Sequence, residues 1–472
     1  MSSQLFTMTI GGHAITTEGT IDVVNPATGA SFARAPACQG GELDAAVQAA
    51  RAAQPAWAAL TWSARQELLR KVAAVYTANQ EELAALLTLE QGKPIGRART
   101  EIASAAYWFA EVAQMTLPDT VLQDSNQAYV AIRRVPMGVV GAMVPWNYPV
   151  VLAAWKIAPA LLTGNTLVLK PSPFTPLVTL RLGELQRDVL PPGVLNVISG
   201  GDELGPLMSE HSGFDKLSFT GSTATGKRVM ESAAGTLKRL TLELGGNDAA
   251  IVMPDVDVEA VAEKLFWGAF VNSGQICIAA KRVFILESIY DRMAQAFVRL
   301  AQKTSMGPGN REGVELGPVQ NYRQFERLRA LLQDCKDQGH TLLTGGDIPD
   351  GPGYFFPVTL IDNPPDDARI VKEEPFGPIL PLLKFRTVEE VVARANNSEY
   401  GLAGSIWCRD EDLAMNVAKR LQTGTVWINQ IQAVTPHTPM AGHKQSGIGV
   451  ENGVEGLSGY TVPQTIATRR AH

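Results

Sequence analysis

The stretch VVGAMVPWNYPVVLAAWKIAPALLTGNTLVLK, from Val139 to Lys170, decides the fold class of this chain. It contains a short apolar run, Val139 to Pro145, then an apolar segment of helical length, Tyr148 to Leu162, and then a second short run, Thr166 to Lys170. Two short apolar runs on either side of a helical segment are typical of buried parallel strands joined by a crossover helix. The stretch therefore predicts a βαβ unit.

The same alternation continues after Lys170. Two further strands and two further helices are expected at Leu195 to Ser199, Lys216 to Phe219, Leu177 to Val189 and Gly201 to His211. A second α/β series begins after Gly246, with strands expected at Ala249 to Met253, Val283 to Leu286 and Val426 to Asn429. This rhythm predicts an α/β protein with a doubly wound sheet and a second α/β unit.

The remaining segments have other residue patterns and predict other secondary structure. The region from Gly11 to Gly41 favours irregular strands and turns, and Glu42 to Val112 favours helix because apolar residues recur at spacings of three and four. Tyr129 to Arg134 alternates and predicts a strand in an exposed arm, and Gly459 to Ile466 predicts a β-rich tail.

Composition excludes several classes of protein. The 472 residues are 45% apolar and 19% charged, with a net charge of -6, so nucleic acid and anionic membranes are not expected partners. Apolar runs stop well short of the roughly 20 residues of a membrane span. No signal peptide is expected at the N-terminus, and four cysteines without CxxC spacing favour the cytoplasm. The six histidines show no metal-ligand spacing, so no metal is expected.

One cysteine stands in special surroundings, the segment FVNSGQIC from Phe270 to Cys277. A cysteine is nucleophilic as the thiolate and needs an accessible site, and Gly274 lets the backbone turn so that the thiol points outward. The other three cysteines are expected to be buried and structural, at Cys38, Cys335 and Cys408.

This segment resembles the active-site signature Phe-x-Asn-x-Gly-Gln-x-Cys of the aldehyde dehydrogenase superfamily. Further motifs resemble that family in its order along the chain. They are PWNYP at 145–149, KPS at 170–172, FTGSTATG at 219–226, LELGG at 242–246, EEPFGP at 373–378, NSEYGL at 397–402, GTVWIN at 424–429 and KQSGIG at 444–449.

The resemblance implies the catalytic roles. Cys277 attacks the aldehyde, and the side-chain amide of Asn147 with the backbone N–H of Cys277 stabilises the oxyanion. Hydride transfer to NAD(P)+ leaves a thioester, which water activated by Glu243 hydrolyses to the acid. The alternatives are a semialdehyde dehydrogenase and a CoA-acylating aldehyde dehydrogenase, whose members generally lack the base glutamate that is present here.

The resemblance also implies a site for NAD or NADP. The cofactor-binding residues it predicts are Pro145, Trp146, Lys170, Ser172, Gly221, Ser222, Glu374 and Phe376. Many NAD-preferring relatives have glutamate three residues after the ribose lysine, where this chain has Pro173, so NADP is not electrostatically excluded and NAD is only slightly favoured. Asn247 is a second departure, at a position where the family often has lysine.

The predicted substrate pocket follows from the same resemblance. Its lining residues are Tyr148, Trp155, Ile276, Ile278, Val434, His437 and Met440. The loop from Gln430 to Ala441 has no Lys, Arg, Asp or Glu, whereas a charged substrate would require an opposite charge. The sequence therefore favours an uncharged aliphatic or aromatic aldehyde, with His437 as either a hydrogen-bond donor or a plain loop residue.

The predicted architecture has three parts. Residues 1–117 and 136–245 form a Rossmann-like coenzyme-binding domain, 246–444 a catalytic α/β domain, and 118–135 with 445–472 a β oligomerisation arm and tail. Because exposed edge strands tend to be covered and relatives are dimers or tetramers, a homodimer or homotetramer is expected.

Overall fold

A computed structural model describes residues 5–470 of the chain. Residues 1–4, at the start of the predicted coenzyme-binding domain, and 471–472, at the end of the predicted tail, lie outside this description. Within it, two large sheets and a small arm sheet carry the architecture, and the predicted α/β fold class is confirmed.

The first sheet has eight strands, of which the middle five are parallel. In spatial order these five are Leu195–Val197, Thr166–Lys170, Val139–Met143, Lys216–Thr220 and Arg239–Glu243. The antiparallel edge strands are His13–Ile15 and Met8–Ile10 on one side and Gly447–Ile448 on the other. The four predicted parallel strands are therefore correct to within two residues at their ends.

The chain order of these strands creates a cleft. From Val139–Met143 the chain moves outward to Thr166–Lys170 and Leu195–Val197, then returns to the opposite side at Lys216–Thr220. Ligands of doubly wound sheets bind at the carboxyl edge where this reversal occurs. The loops after Met143, Lys170, Thr220 and Glu243 all leave from that edge, because the strands are parallel and in register.

Helices cover both faces of this sheet. Their bounds are Gly40–Ala59, Trp62–Ala78, Gln80–Gln91, Ile95–Val112, Pro149–Leu162, Leu177–Leu185, Leu204–Glu210 and Thr223–Ala234. The predicted helical region from Glu42 to Val112 is thus four helices. Thr61 caps the N-terminus of the second helix, because its side chain accepts a hydrogen bond from Ala64 N. Gly92, with φ 92°, terminates the third helix before Pro94.

The second sheet has seven strands, all pairs parallel except the one at the Leu342–Thr344 edge. In spatial order the strands are Leu342–Thr344, Thr359–Asp362, Ile379–Phe385, Ala280–Leu286, Asp248–Val252, Ala403–Trp407 and Thr425–Ile428. The accompanying α-helices are Val258–Phe270, Tyr290–Lys303, Tyr322–Asp337, Arg369–Lys372, Val388–Asn396 and Glu411–Ala418. The short 3₁₀ segments are Val271–Gly274 and Glu287–Ile289.

A three-stranded antiparallel sheet forms the arm. Its strands are Thr120–Asp124, Ala128–Pro136 and Thr461–Arg469, with the last two paired along nine residues. The tail therefore joins the arm, as predicted, and a short helix, Gly453–Ser458, leads into it. The remaining small sheets pair Thr20–Asn25 with Ala30–Pro36 and Tyr400–Gly401 with His443–Lys444. The exact domain limits stay a prediction.

The helices were also compared with the requirements of a membrane span. Among the residues that the structure describes, no helix combines the length and apolar character needed to cross a bilayer.

Candidate active site

The segment before Cys277 has an unusual backbone. Helix Val258–Phe270 ends at Val271, and the next three residues, Asn272, Ser273 and Gly274, have φ angles of 55°, 56° and 72°. Non-glycine residues in this left-handed region cost roughly 1–3 kcal/mol each and persist only where surrounding contacts hold them. At Gly274 a Cβ atom would collide with the carbonyl of Gly377, so glycine is required there.

Side-chain hydrogen bonds hold this strained turn. Ser273 Oγ donates to Gly317 O at 2.7 Å, and Gln275 Nε2 donates to Asn272 O at 2.9 Å. Gln275 Oε1 in turn accepts from Gln320 N at 2.8 Å. The turn is therefore fixed from several directions, which gives Cys277 a defined position.

Cys277 is partly exposed, whereas the other three cysteines are buried, and all four are unpaired. Burial by the surrounding protein raises the pKa of the Cys277 thiol to about 12, and the nearby Lys281 ammonium opposes that shift. Lys281 Nζ donates to Cys277 O at 2.6 Å. The sulfur is therefore a thiol at neutral pH and needs a proton acceptor before it can attack a carbonyl carbon.

Asn147 lies in the loop after the central strand and reaches across to the cysteine segment. Its Nδ2 donates to Gln275 O at 2.9 Å, and its backbone O accepts from Asn272 Nδ2 at 3.1 Å. An amide nitrogen carries two hydrogens, so one remains available. Asn147 is thus fixed beside the nucleophile segment with a donor to spare.

Glu243 is the last residue of strand Arg239–Glu243 and is only 5% exposed. Neither carboxylate oxygen has a hydrogen-bond partner within residues 5–470. Burial raises the pKa of Glu243 well above its ordinary value, the nearby Glu451 raises it further, and Lys156 opposes the shift. A buried carboxyl group with both oxygens free is suited to proton transfer, because either oxygen can accept a proton and the raised pKa makes the carboxylate a stronger base.

Sequence reasoning missed a buried polar network beside Glu243. Lys156 Nζ pairs with Glu451 Oε1 at 2.8 Å and donates to Ser218 Oγ at 3.0 Å, and both charged side chains are almost fully buried. The available signal was Lys156 itself, the only charged residue in the otherwise apolar helix Pro149–Leu162. Its partner Glu451, 295 positions away, carries no comparable signal.

The carboxyl edge of the first sheet also offers a cleft for a dinucleotide. Lys170 is buried, and its Nζ has one contact, with Pro171 O at 3.3 Å. Burial lowers the pKa of Lys170 to about 8, while Asp202 and Glu203 oppose that shift. Ser172 Oγ accepts a hydrogen bond from Phe174 N at 3.3 Å, which orders the loop after this lysine.

Across the cleft, Gly221 follows strand Lys216–Thr220, and Ser222 caps helix Thr223–Ala234 by accepting from Thr225 N at 3.3 Å. A Cβ at Gly221 would collide with the Phe219 ring. Backbone N–H groups at the start of such a helix attract phosphate. A phosphate-binding helix terminus and a lysine on the neighbouring loops of one sheet edge fit NAD(P).

Glu374 and Phe376 close the other end of this cleft. Glu374 Oε1 accepts from Gly246 N at 3.1 Å and pairs with Lys281 Nζ at 3.1 Å. The Phe376 ring lies 5.3 Å from the Trp146 ring, nearly perpendicular to it, and Trp146 follows Pro145 in the Asn147 loop. Lys281 links Glu374 to the cysteine segment and was missed by sequence reasoning, although it lies four residues after Cys277.

An apolar cluster surrounds the thiol. It contains six of the seven predicted pocket residues together with Val271, Leu402, Trp427 and Ile431; the six are Tyr148, Trp155, Ile276, Ile278, Val434 and Met440. His437 is the exception. Its side chain is 53% exposed, and its Nε2 lies 2.9 Å from Glu111 Oε2, so it lies outside this apolar cluster and its place in the pocket stays a prediction.

The chain is similar to known proteins over nearly its whole length. A family model described as the aldehyde dehydrogenase family matches residues 14–466. An aldehyde dehydrogenase of Fusarium sp is 39% identical over 453 residues, which cover 96% of each chain. A mutant aldehyde dehydrogenase from Bacillus cereus has a TM-score of 0.97, 36% identity and coverage of 99% and 97%. A mutant betaine aldehyde dehydrogenase from Staphylococcus aureus, in complex with NAD+, has a TM-score of 0.95, 35% identity and coverage of 98% and 97%.

Proposed function

Because the chain belongs to the aldehyde dehydrogenase family and is an NAD(P)-dependent enzyme, we propose that it oxidises an uncharged aldehyde to the carboxylic acid through a thioester on Cys277. The supporting observation is that an amide and an unpaired carboxyl group lie near the Cys277 segment: Asn147 donates to Gln275 O, and Glu243 is close enough to act on the Cys277 thiol electrostatically. The three groups are the partly exposed thiol of Cys277, the fixed amide of Asn147 and the buried, unpaired carboxyl group of Glu243.

In the first step Cys277 Sγ forms a bond to the aldehyde carbon while the thiol proton passes to a solvent water molecule. The carbonyl oxygen becomes an oxyanion, which the free N–H of Asn147 Nδ2 and the backbone N–H of Cys277 stabilise. Losing one such donor typically raises a barrier by roughly 3–4 kcal/mol. Lys170, Ser172, Gly221 and Ser222 would hold NAD(P)+, which would supply the acceptor for the hydride that must leave the thiohemiacetal carbon to give the thioester.

Hydrolysis completes the cycle. Glu243 removes a proton from a water molecule, whose oxygen attacks the thioester carbon, and the carboxylic acid leaves as the thiol is restored. The nearby Glu451 favours the protonated form of Glu243, and Lys156, which is paired with Glu451, favours the carboxylate form. Because Glu243 is present, transfer of the acyl group to CoA is the less favoured alternative.

The substrate side of the proposal rests on the apolar cluster around Cys277 and on the uncharged loop from Gln430 to Ala441. Burying a substrate charge without an opposite charge is costly. An aliphatic or aromatic aldehyde without a charged group fits this lining best. A semialdehyde is the second candidate, since another segment could supply a cation.

A panel of aldehydes tests this proposal through absorbance at 340 nm, with NAD+ and NADP+ used separately. We expect kcat/KM for hexanal and benzaldehyde to exceed that for succinic semialdehyde by at least about 10²-fold, because an unpaired buried carboxylate costs several kcal/mol. A preference for the semialdehyde would contradict the uncharged pocket. Turnover only with added CoA would contradict the role of Glu243.

For the cofactor we propose NAD with a slight preference over NADP. The position that repels a 2′-phosphate in many relatives is Pro173 here, so discrimination should be weak. We expect Pro173→Glu to raise KM for NADP+ about 10-fold or more, because a carboxylate would face the phosphate, and to change KM for NAD+ less than about 3-fold. Equal effects on both cofactors would show that residue 173 lies away from the 2′ position.

We also propose that the chain works in the cytoplasm as a homodimer or homotetramer. Thr120–Asp124 is an edge strand whose residues are all exposed, including Val121 and Leu122. An exposed edge with apolar side chains is usually covered by a partner. A molar mass in solution equal to that of one 50.7 kDa chain would contradict this proposal.

A further inference from the structure

A buried ion pair lies next to Asn147 and has no part in the chemistry described above. Lys93 Nζ and Glu101 Oε2 are 2.5 Å apart, and their side chains are 1% and 0% exposed. Lys93 lies in the connection after helix Gln80–Gln91, and Glu101 lies within helix Ile95–Val112. The two charges are therefore placed by elements outside the cysteine segment.

The lysine contacts the Asn147 loop directly. Its Nζ donates to Asn147 O at 2.9 Å, so it fixes the backbone that carries the amide side chain. The same Nζ lies 3.8 Å from the centroid of the Tyr148 ring. A lysine this close to a ring face is held by cation–π attraction as well. One ammonium group therefore restrains two consecutive residues of the candidate site.

The glutamate fixes the segment on its other side. Glu101 Oε1 accepts hydrogen bonds from Val150 N at 2.9 Å and from Val151 N at 3.3 Å. These N–H groups belong to the first turn of helix Pro149–Leu162, where they have no acceptor within the helix. The pair thus clamps residues 147–151 from both ends.

Stability alone explains this arrangement poorly. Burying two charges costs several kcal/mol per ion, and the attraction between them often only balances that cost, so an apolar pair would serve folding as well. Burial lowers the pKa of Lys93, and Glu101 opposes that shift. Fixed geometry is the benefit that an ionic clamp offers, because catalysis falls when a donor moves by as little as about 1 Å.

We propose that Lys93 and Glu101 are positioning residues, which hold the amide of Asn147 and the ring of Tyr148 in the geometry that the reaction requires. This inference rests on the proposed function, since it needs Asn147 to be an oxyanion donor. It adds two residues that act through Asn147 without contacting the aldehyde.

A double-mutant cycle tests the inference. Its members are the wild type, Lys93→Met with Glu101→Gln, Asn147→Ala, and all three changes together. The paired change removes both charges at once, so no buried charge is left unpaired, and the amide oxygen introduced at position 101 can still accept from Val150 and Val151. Aldehyde kcat/KM is measured for each protein, with the melting temperature and the Kd for NAD+ as controls of folding.

We expect the paired change to lower kcat/KM about 10- to 100-fold with the Kd for NAD+ within about 2-fold of wild type. In the Asn147→Ala background the same change should cost less than about 2-fold, because residues that act as a unit are not additive. Independent, multiplying losses would overturn the positioning role and leave the proposed function standing. If Asn147→Ala alone has no effect, the oxyanion role of Asn147 and the positioning role both fall.

Should the paired variant lose NAD+ binding, Glu101→Gln alone takes its place in the cycle, because it removes one charge and keeps an acceptor for the helix turn. The same non-additivity with Asn147→Ala is expected. A loss that is equal in both backgrounds would again overturn the inference.

Discussion

Replacing Cys277 by alanine is expected to lower kcat/KM for aldehyde oxidation at least about 10⁴-fold, because without a covalent bond to sulfur the aldehyde carbon is no hydride donor. Alanine fits the space of the thiol, and the hydrogen bonds that hold the preceding turn come from Ser273 and Gln275. The variant should therefore keep its fold and its Kd for NAD+. Rates of reduced-cofactor formation at 340 nm and titration of NAD+ binding measure the two quantities.

Cys335→Ala is the matched control for this prediction. Cys335 is buried in helix Tyr322–Asp337, within the core of the second sheet, and lies in no part of the candidate site. Its replacement should cost some stability through a small cavity and leave kcat/KM within about 2-fold of wild type. Retained turnover in Cys277→Ala would mean that the oxidation does not proceed through a thioester at this residue.

The rate of alkylation provides a second test of the Cys277 thiol. Because burial raises the pKa of Cys277 to about 12, the thiolate fraction grows about tenfold per pH unit below that value. Reaction of Cys277 with iodoacetamide should therefore accelerate steadily from pH 6 to pH 9 in the enzyme without aldehyde. This pH profile reports the environment of the thiol, and Cys277→Ala provides the blank.

Four of the eight strands of the first sheet were predictable from the sequence, because each of the four is a short apolar run and the crossover helices between them have their own length and periodicity. Asn147, Lys170 and Glu243 could be placed at one edge for the same reason, since each lies at or just after the end of a parallel strand. The predicted ends of these four strands were off by at most two residues. They depend on where hydrogen-bonded partners stop, and the apolar pattern of a single strand does not specify this.

Contacts between distant segments were not predictable. Lys93 is an ordinary residue in the sequence, and its importance appears only when its burial and its partner Glu101 are known. Lys156 stands out in an apolar helix, but the sequence does not show that its partner is Glu451. A lysine inside an apolar stretch signals that a counter-charge exists, but spacing does not say where it lies. The contact between His437 and Glu111 was equally invisible in the sequence, because a position inferred by resemblance does not specify a partner on another helix.

The sequence predicted only part of the left-handed turn before Cys277. Gly274 signals a positive φ, whereas Asn272 and Ser273 adopt the same region only because Gly317, Gln275 and Asn147 hold them. Such strain is imposed by tertiary structure, so the local sequence reports only its glycine. The nucleophile is thus positioned by residues that no single motif contains.

The reaction of Glu243 should depend on pH in a defined direction. A base must be deprotonated, and burial with the neighbouring Glu451 raises the pKa of Glu243 above its ordinary 4.5. Deacylation should therefore become faster as the pH rises above that ordinary value, and it should level off only above the raised pKa. The same pKa shift affects the free energy of unfolding in the opposite direction. Because the folded state holds the Glu243 proton more tightly than the unfolded chain, the protein loses stability as the pH rises through the raised pKa.

Replacing Glu243 by glutamine should trap the thioester and lower steady-state turnover about 10²- to 10⁴-fold, because the amide cannot accept a proton from water. Rapid mixing should show a burst of close to one reduced cofactor per active site, and intact mass should rise by the acyl group on Cys277. The pH dependence of deacylation should flatten. Glu231→Gln, on the exposed face of helix Thr223–Ala234, is the matched control and should behave as wild type. Undiminished turnover in Glu243→Gln, with no acyl adduct, would assign activation of water to another group.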